Sequence, residues 1–238
     1  MQKSLKREAF ILNLNTLPYD EALALQERLI ELRSQDSIHD TLILLEHPPV
    51  FTVTRKSALR NVLASPDTLK EKGITLHHTN RGGDITYHGP GQLVGYPIMN
   101  LKDHGKDLHL YIRRLEEMII QVLRDYGIDG YRDTINAGVW VGGEKIAAIG
   151  IAVKSSWTTM HGFSFNVNPD LSHYSLIVPC GIADRGVTSL VKLLGKPVSR
   201  QEAQNKLIRS FEEVFNVRSR EVSLQQLQDE KCKVQNEK

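Results

Sequence analysis

The chain of 238 residues is short of cysteine: it has two, Cys180 in "IVPCGIADRG" and Cys232 in the charged stretch "QDEKCKVQNEK". There is no C-x-x-C pair and no spacing that reads as a disulfide framework, so the fold must rest on buried apolar surface. A single domain of this length buries about 70 to 75% of its unfolded surface, which is sufficient without covalent staples. An excess of one charge is also missing, since 30 Lys and Arg stand against 28 Asp and Glu. That balance gives no basis for nucleic-acid binding. The longest apolar run, "IAAIGIAV" from Ile146 to Val153, is far below the ~20 residues a bilayer span needs. The N-terminus "MQKSLKREAFILNLN" starts basic but lacks the uninterrupted apolar region and small-residue cleavage site of an export signal. These absences predict a cytoplasmic single domain over 1–238, with a polar tail from about residue 222.

Nucleotide and metal motifs are lacking as well. Neither "GGDITYHGPG" nor "GGEKIAA" matches G-x-x-x-x-G-K-[ST]. The run "GPGQLVG" has the wrong glycine spacing for a dinucleotide fingerprint, and Pro97 falls where a helix should be established. Nine histidines are present, but no H-E-x-x-H pattern and no cysteine partner accompanies them. No metal site is expected.

What is present is a mixed pattern of short strand-like runs and a few amphipathic helices. "AFILNLN" and "TLILLEH" read as strands on either side of the helical pattern "YDEALALQERLIELRSQ", and "VFTVT" as a further strand. "SPDTLKEKG" offers Ser65 as N-cap, Pro66 at the first helical position and Gly73 as a stop. A long helix is predicted from about Leu108 to Tyr126, capped by Asp107 and ended by Gly127. Its core face is Ile112, Leu115, Met118, Ile119, Val122 and Leu123, and its arginines and glutamates lie in solvent. "GVWVGGEKIAAIGIAV" reads as two strands around a Gly142–Gly143 turn, "HGFSFNVN" as another strand, and "SRQEAQNKLIRSFEEVF" as a second long helix. The order suggests an α/β (α+β) domain with a mixed sheet flanked by helices.

The segment "RGGDITYHGPGQLVGYPI", Arg81 to Ile98, carries Gly82, Gly83, Gly89, Gly91 and Gly95. Composition leaves two readings open: a pair of hairpin turns, or a groove wall in which Arg81, Tyr87 and His88 meet a polar partner and the glycines admit a thin apolar one. Together with "EHPPVFTVTR", "GVWVGGEKIAAIGIAV", "TTMHGFSFNVNPDL" and "IVPCGIADRGVTSL", this segment resembles the octanoyltransferases that begin protein lipoylation, the lipoate-protein ligase B family. The likeness runs from about Glu46 to about Leu190.

The resemblance implies a fold like the catalytic domain of biotin and lipoate ligases. It also implies transfer of an octanoyl group from octanoyl-acyl carrier protein to a lysine on lipoyl domains of 2-oxoacid dehydrogenases and on the glycine cleavage H protein. Cys180 would carry the acyl thioester and Lys145 would lower its pKa. The substrate-binding stretches would be Arg81, Gly82, Gly83, Asp84, Ile85, Thr86, Tyr87 and His88, then Ala148, Ile149 and Gly150, then Gly162, Phe163 and Ser164. One departure is visible: where the family usually has a glycine before the arginine after "EHPPVFT", this chain has Thr54 before Arg55.

The chemistry is coherent in its own terms. An unperturbed thiol is only a few per cent ionised near neutral pH, so a nucleophilic Cys180 needs a neighbouring cation or base, and Lys145 can be either. The donor arrives as an activated thioester, so no cofactor is expected, ATP included. Small residues such as Gly82, Gly83, Ala148 and Gly150 suit a narrow acyl tunnel, with His88 and His161 as polar groups beside it. The competing readings are an ATP-dependent lipoate ligase on the same fold and a non-catalytic binding module, neither of which requires both Cys180 and Lys145.

Overall fold

The computed structural model of the protein describes residues 6–54, 56–134, 136–154, 156–178 and 185–227. In chain order its first elements are strand β1 (Arg7–Thr16), helix α1 (Tyr19–Ser34), strands β2 (Asp40–Glu46) and β3 (Val50–Val53), helix α2 (Pro66–Glu71) and strands β4 (Thr75–His78), β5 (Ile85–His88) and β6 (Gln92–Ile98). There follow helix α3 (Leu108–Arg124), strands β7 (Tyr131–Arg132), β8 (Gly138–Val141), β9 (Glu144–Val153) and β10 (Thr159–Asn166), helices α4 (Leu190–Leu194) and α5 (Arg200–Phe215), and strand β11 (Val217–Glu221).

A large mixed sheet has the order β11-β1-β2-β6-β10-β9-β8-β7, and a small one the order β4-β3-β5. Strand alternation sorts the large sheet's side chains between two cores. Ala9 and Ile11 of β1, Leu42 and Leu44 of β2, and Phe163 and Phe165 of β10 pack with Leu115, Met118 and Ile119 of α3 and with Leu207 and Phe211 of α5. The intervening Phe10, Leu12, Ile43 and Leu45, with Val94 and Tyr96 of β6, pack with Ala22, Leu29 and Ile30 of α1. Each such aliphatic or aromatic side chain stabilises the fold by about 1.5 to 3 kcal/mol. A third core under the small sheet holds Phe51, Val53, Ile85, Tyr87, Tyr174 and Ile177.

The helix ends follow the expected chemistry. Ser65 and Asp107 accept hydrogen bonds from the backbone N–H groups of Thr68 and Leu110, and Gly127 turns the chain after α3 with φ of 71°. The buried face of α3 differs from the expected one at four places: Tyr111 and Ile120 join it, Ile112 is half-buried, and Glu116, expected in solvent, is buried. Its carboxylate has a task there, because Glu116 Oε1 accepts the Gly138 N–H at 3.1 Å where β8 begins. Val222 and Leu227, at the start of the stretch expected as a polar tail, belong to the α1-side core. Among the described residues no helix is long and apolar enough to cross a membrane.

Candidate active site

The segment Arg81 to Ile98 is not the open loop its glycines suggest. Residues 85–88 and 92–98 form β5 and β6, both buried along their whole length, and they lie in different sheets. Only residues 81–84 and the 89–91 turn connect rather than pair. Three of the glycines serve the protein's own packing, not a ligand. A Cβ would fall 1.9 Å from the Tyr87 hydroxyl at Gly89, 2.4 Å from the Asn168 carbonyl oxygen at Gly91, and 2.1 Å from the Phe163 ring at Gly95.

Across the β5, β9 and β10 strands lies a groove of about 500 Å³, its open mouth included. Arg81, Gly83, Thr86, His88, Ala148, Ile149, Gly150, Gly162, Phe163 and Ser164 line it, as does Lys145. The other residues of the family stretches point elsewhere. Ile85 and Tyr87 alternate with Thr86 and His88 along β5, so they enter the small core, where the Tyr87 hydroxyl meets His173 Nδ1 at 2.8 Å. Gly82 and Asp84 support the loop: Gly82 N–H donates to Ile151 O at 2.8 Å, and Asp84 O accepts the Thr54 N–H at 3.0 Å.

Thr54, the departure from the family pattern, closes this same loop. Its hydroxyl donates to Gly83 O at 3.0 Å, while Arg81 donates from Nη2 to Thr52 O and Thr52 Oγ1 at 3.0 and 2.9 Å. Arg81 therefore spends hydrogen bonds on anchoring residues 81–84 to β3. Its side chain then forms wall: a Cβ at Gly150 would meet Gly82 O at 2.9 Å and Arg81 Cδ at 3.0 Å.

The register of β9 on β10 sets the groove's direction. Ala148 faces Ser164, Gly150 faces Gly162 and Ile151 faces His161. Lys145 stands at one end and His161 at the other, about 16 to 20 Å apart at the rise of a strand. Around the His161 end the wall holds buried, uncharged hydrogen-bonding groups. Tyr96 O–H meets His47 Nε2 at 2.7 Å, His47 Nδ1 donates to Leu17 O at 2.6 Å, and His88 Nδ1 donates to Gln92 Oε1 at 2.7 Å. His161 Nε2 lies 2.9 Å from Asn80 Oδ1, and its backbone takes φ of 62°, a strained setting for a residue with a side chain. Burial holds all three imidazoles neutral. It is the main cause of His47 lying at about 4, of His88 at about 3 with His47 and Arg81 adding to it, and of His161 at about 4 with Arg81 and Lys154 adding to it.

The Lys145 end is different in kind. A second cavity of about 410 Å³, its opening included, meets the first there and is lined by Trp140, Lys145, Asn166, Tyr174 and Arg185. Lys145 Nζ lies 4.9 Å from the centre of the Trp140 ring and 3.4 Å from Ala137 O. Cys180 lies outside the described residues, as do 179–184 and Cys232. Both flanks of 179–184 are tied to this region. On one side Val178 N–H donates to Asn61 O at 2.8 Å, and Asn61 Nδ2 donates to Asp84 Oδ2 at 2.5 Å. On the other, Lys145 N–H donates to Gly186 O, and Thr188 N–H donates to Lys145 O, each at 3.0 Å. Gly186 and Thr188, six and eight residues after Cys180, therefore lie against the Lys145 backbone.

Sequence reasoning missed Tyr19, Tyr96 and Ala137, which also line the groove. Tyr96 sits inside the glycine-rich segment, where strand alternation with Val94 was available as a signal. Tyr19 begins α1, far away in sequence, and only the packing of α1 on the sheet brings it here.

With this geometry in view, the likenesses to known proteins are specific. Residues 18–212 match the family described as lipoyl protein ligase A/B catalytic domain. A relative named Octanoyltransferase, from Caldicellulosiruptor saccharolyticus, is 51% identical over 218 residues, 91% of this chain and 92% of its own. A bi-partite lipoate protein ligase from Thermoplasma acidophilum matches over 98% of this chain and 93% of that one, with TM-score 0.70 at 20% identity. A biotin protein ligase from Aquifex aeolicus covers 87% of this chain and 70% of its own, with TM-score 0.55 at 17% identity. The two solved structures share the fold, which is the one expected from the motifs, and the sequence match is close and nearly full-length. The chain belongs to the lipoyl protein ligase A/B catalytic domain family.

Proposed function

We propose that this protein is an octanoyltransferase of protein lipoylation, with Cys180 as the acyl carrier and Lys145 as its proton partner. One observation carries the assignment of the pair: the segment following Cys180 hydrogen-bonds through Gly186 and Thr188 to the Lys145 backbone, at the mouth of a groove walled by Ala148, Gly150 and Gly162. The near full-length likeness to a protein named Octanoyltransferase supports the same reading.

The reaction balances with these two groups alone. The Cys180 thiolate attacks the carbonyl carbon of octanoyl-acyl carrier protein. The carbon–sulfur bond to the carrier breaks, and the departing carrier thiolate takes a proton from the Lys145 ammonium. In the second half the amine of a lipoyl-domain lysine attacks the acyl-enzyme, an amide forms, and the Cys180 thiolate leaves. The proton lost by the attacking amine returns to neutral Lys145, so the pair is restored without any other reactant. The groove holds the chain meanwhile: six methylenes at about 0.8 kcal/mol each contribute about 5 kcal/mol of binding.

The test is transfer from octanoyl-acyl carrier protein to an isolated lipoyl domain, followed by mass spectrometry of the acceptor, with and without ATP. The expected result is a product carrying one octanoyl group at equal rate in both. Product only when ATP and free octanoate are supplied would instead make the protein a ligase.

A further inference from the structure

Lys145 reaches its position through an irregularity in its own strand. Along β8 and β9 the pairing runs Gly138 to Ala148 and Val139 to Ala147, then shifts so that Trp140 faces Lys145 and Val141 faces Glu144. Ile146 is the extra residue. In an unshifted register Ile146, and not Lys145, would stand opposite Trp140. Bulges of this kind re-aim a side chain, and this one sets an amine across from an indole.

The indole is buried, with Trp140 1% exposed, and its Nε1 donates to Asn136 O at 3.4 Å. It carries two cations. Lys145 Nζ lies 4.9 Å from the ring centre and the Arg185 guanidinium carbon 3.7 Å, both within the range of cation–π attraction. Arg185 is the first described residue after 179–184, and its Nη1 is held at 2.5 Å by Asp133 Oδ2. Asp133 is itself fixed, its Oδ1 accepting the Asn136 N–H at 2.9 Å. The peptide between Ala137 and Gly138 completes the setting, since its oxygen faces Lys145 Nζ and its N–H is held by the buried Glu116 carboxylate.

Resting on the reading of Cys180 and Lys145 as the reacting pair, we propose that Trp140 is a positioning residue for the acyl transfer: one indole seats the Lys145 ammonium and, through Arg185, docks the downstream end of the segment that carries Cys180. Lys145 and Arg185, which follows Cys180 by five residues, are then held by one rigid platform. Trp140 itself forms and breaks no bond and exchanges no proton; it acts through Lys145. Its ring favours the charged amine, the form that stabilises a thiolate and later gives the leaving carrier its proton.

The experiment compares Trp140→Leu and Trp140→Phe with the wild-type protein and Lys145→Ala. It measures kcat and KM for octanoyl transfer and the pH dependence of Cys180 alkylation, scored by peptide mass. The expected result for Trp140→Leu is a kcat about tenfold to a hundredfold lower with KM within about threefold, and an alkylation midpoint displaced upward by about half a unit to one unit. Trp140→Phe keeps an aromatic face and should recover most of both. A Leu variant with wild-type kcat and pH profile overturns the proposal, as does a Phe variant damaged as badly as the Leu variant. Should Trp140→Leu fail to fold, Arg185→Leu decides, because Arg185, unlike Trp140, is partly exposed. A fall in kcat of about threefold or more at unchanged KM supports the platform, and wild-type kcat overturns it. Lys145→Ala separates the two levels of the account. An unchanged Cys180 alkylation profile in Lys145→Ala would contradict the pair itself, whereas a shift there with none in Trp140→Leu contradicts only the platform.

Discussion

The two ends of the groove lie on the same pair of strands and are built from opposite materials. At Lys145 the wall carries charge, with an ammonium and a guanidinium on the Trp140 ring and Asp133 behind. At His161 it carries histidines that burial keeps uncharged, joined by hydrogen bonds to Asn80, and nearby to Leu17 and Gln92. The guanidinium of Arg81, which also lines the groove, is tied back to Thr52. Under the proposed reaction the difference is one of task. Moving protons between a thiol and an amine needs groups that change charge. Receiving an acyl chain needs a wall that stays neutral, because an ion buried beside methylenes would be costly. β9 supplies both by turning from Glu144 and Lys145 to the small residues Ala147, Ala148 and Gly150 within one strand.

Substitutions at the two ends should therefore fail in different ways. The largest effect is expected from Lys145→Ala, a fall in kcat of about a thousandfold with little change in KM, measured in steady-state transfer. Gly150→Ala should act through KM. Its new methyl would crowd Gly82 O at 2.9 Å and displace the Arg81 loop, raising KM about tenfold with kcat within about threefold. If Gly150→Ala lowered kcat alone, the separation of chemistry from chain binding would not hold.

A smaller effect follows from the neutral histidines. Their folded values, about 4 for His47 and His161 and about 3 for His88, lie below the 6.5 of an unfolded chain. As pH falls below about 6.5 the unfolded chain binds protons that the folded one refuses. The stability they contribute is complete above that pH and is lost on the way down to about 4. Between pH 7 and 5 the loss should be about 1 to 2 kcal/mol per histidine, read from urea midpoints at several pH values. A midpoint unchanged over that interval would show that the wall is not held neutral.

Much of this fold was legible because local signals agreed with tertiary structure. Ser65 and Asp107 cap their helices as their sequence context predicts, and the period-two runs of β1 and β2 divide cleanly between two cores. The glycine-rich segment was harder. Its Gly89, Gly91 and Gly95 look like loop residues, yet they are required by a phenol, a carbonyl and a phenyl ring contributed by other strands or across the turn. Glycine marks close approach as readily as it marks a turn. The order of the stretch Arg81 to His88 could be read, but not its division, because only the pleat decides that Thr86 and His88 face the groove while Ile85 and Tyr87 face the core. Trp140 gave no chemical signal of its own. The role proposed for it depends on a one-residue slip at Ile146 and on a guanidinium more than forty positions downstream.

The most direct test of the account is the intact mass of the protein after mixing with octanoyl-acyl carrier protein and no acceptor. The account predicts one octanoyl adduct, released by hydroxylamine, mapped to Cys180 and missing in Cys180→Ser. An adduct that persists in Cys180→Ser, or a wild-type protein that transfers octanoate to lipoyl domains without ever carrying it, would contradict the acyl-enzyme at the centre of the account.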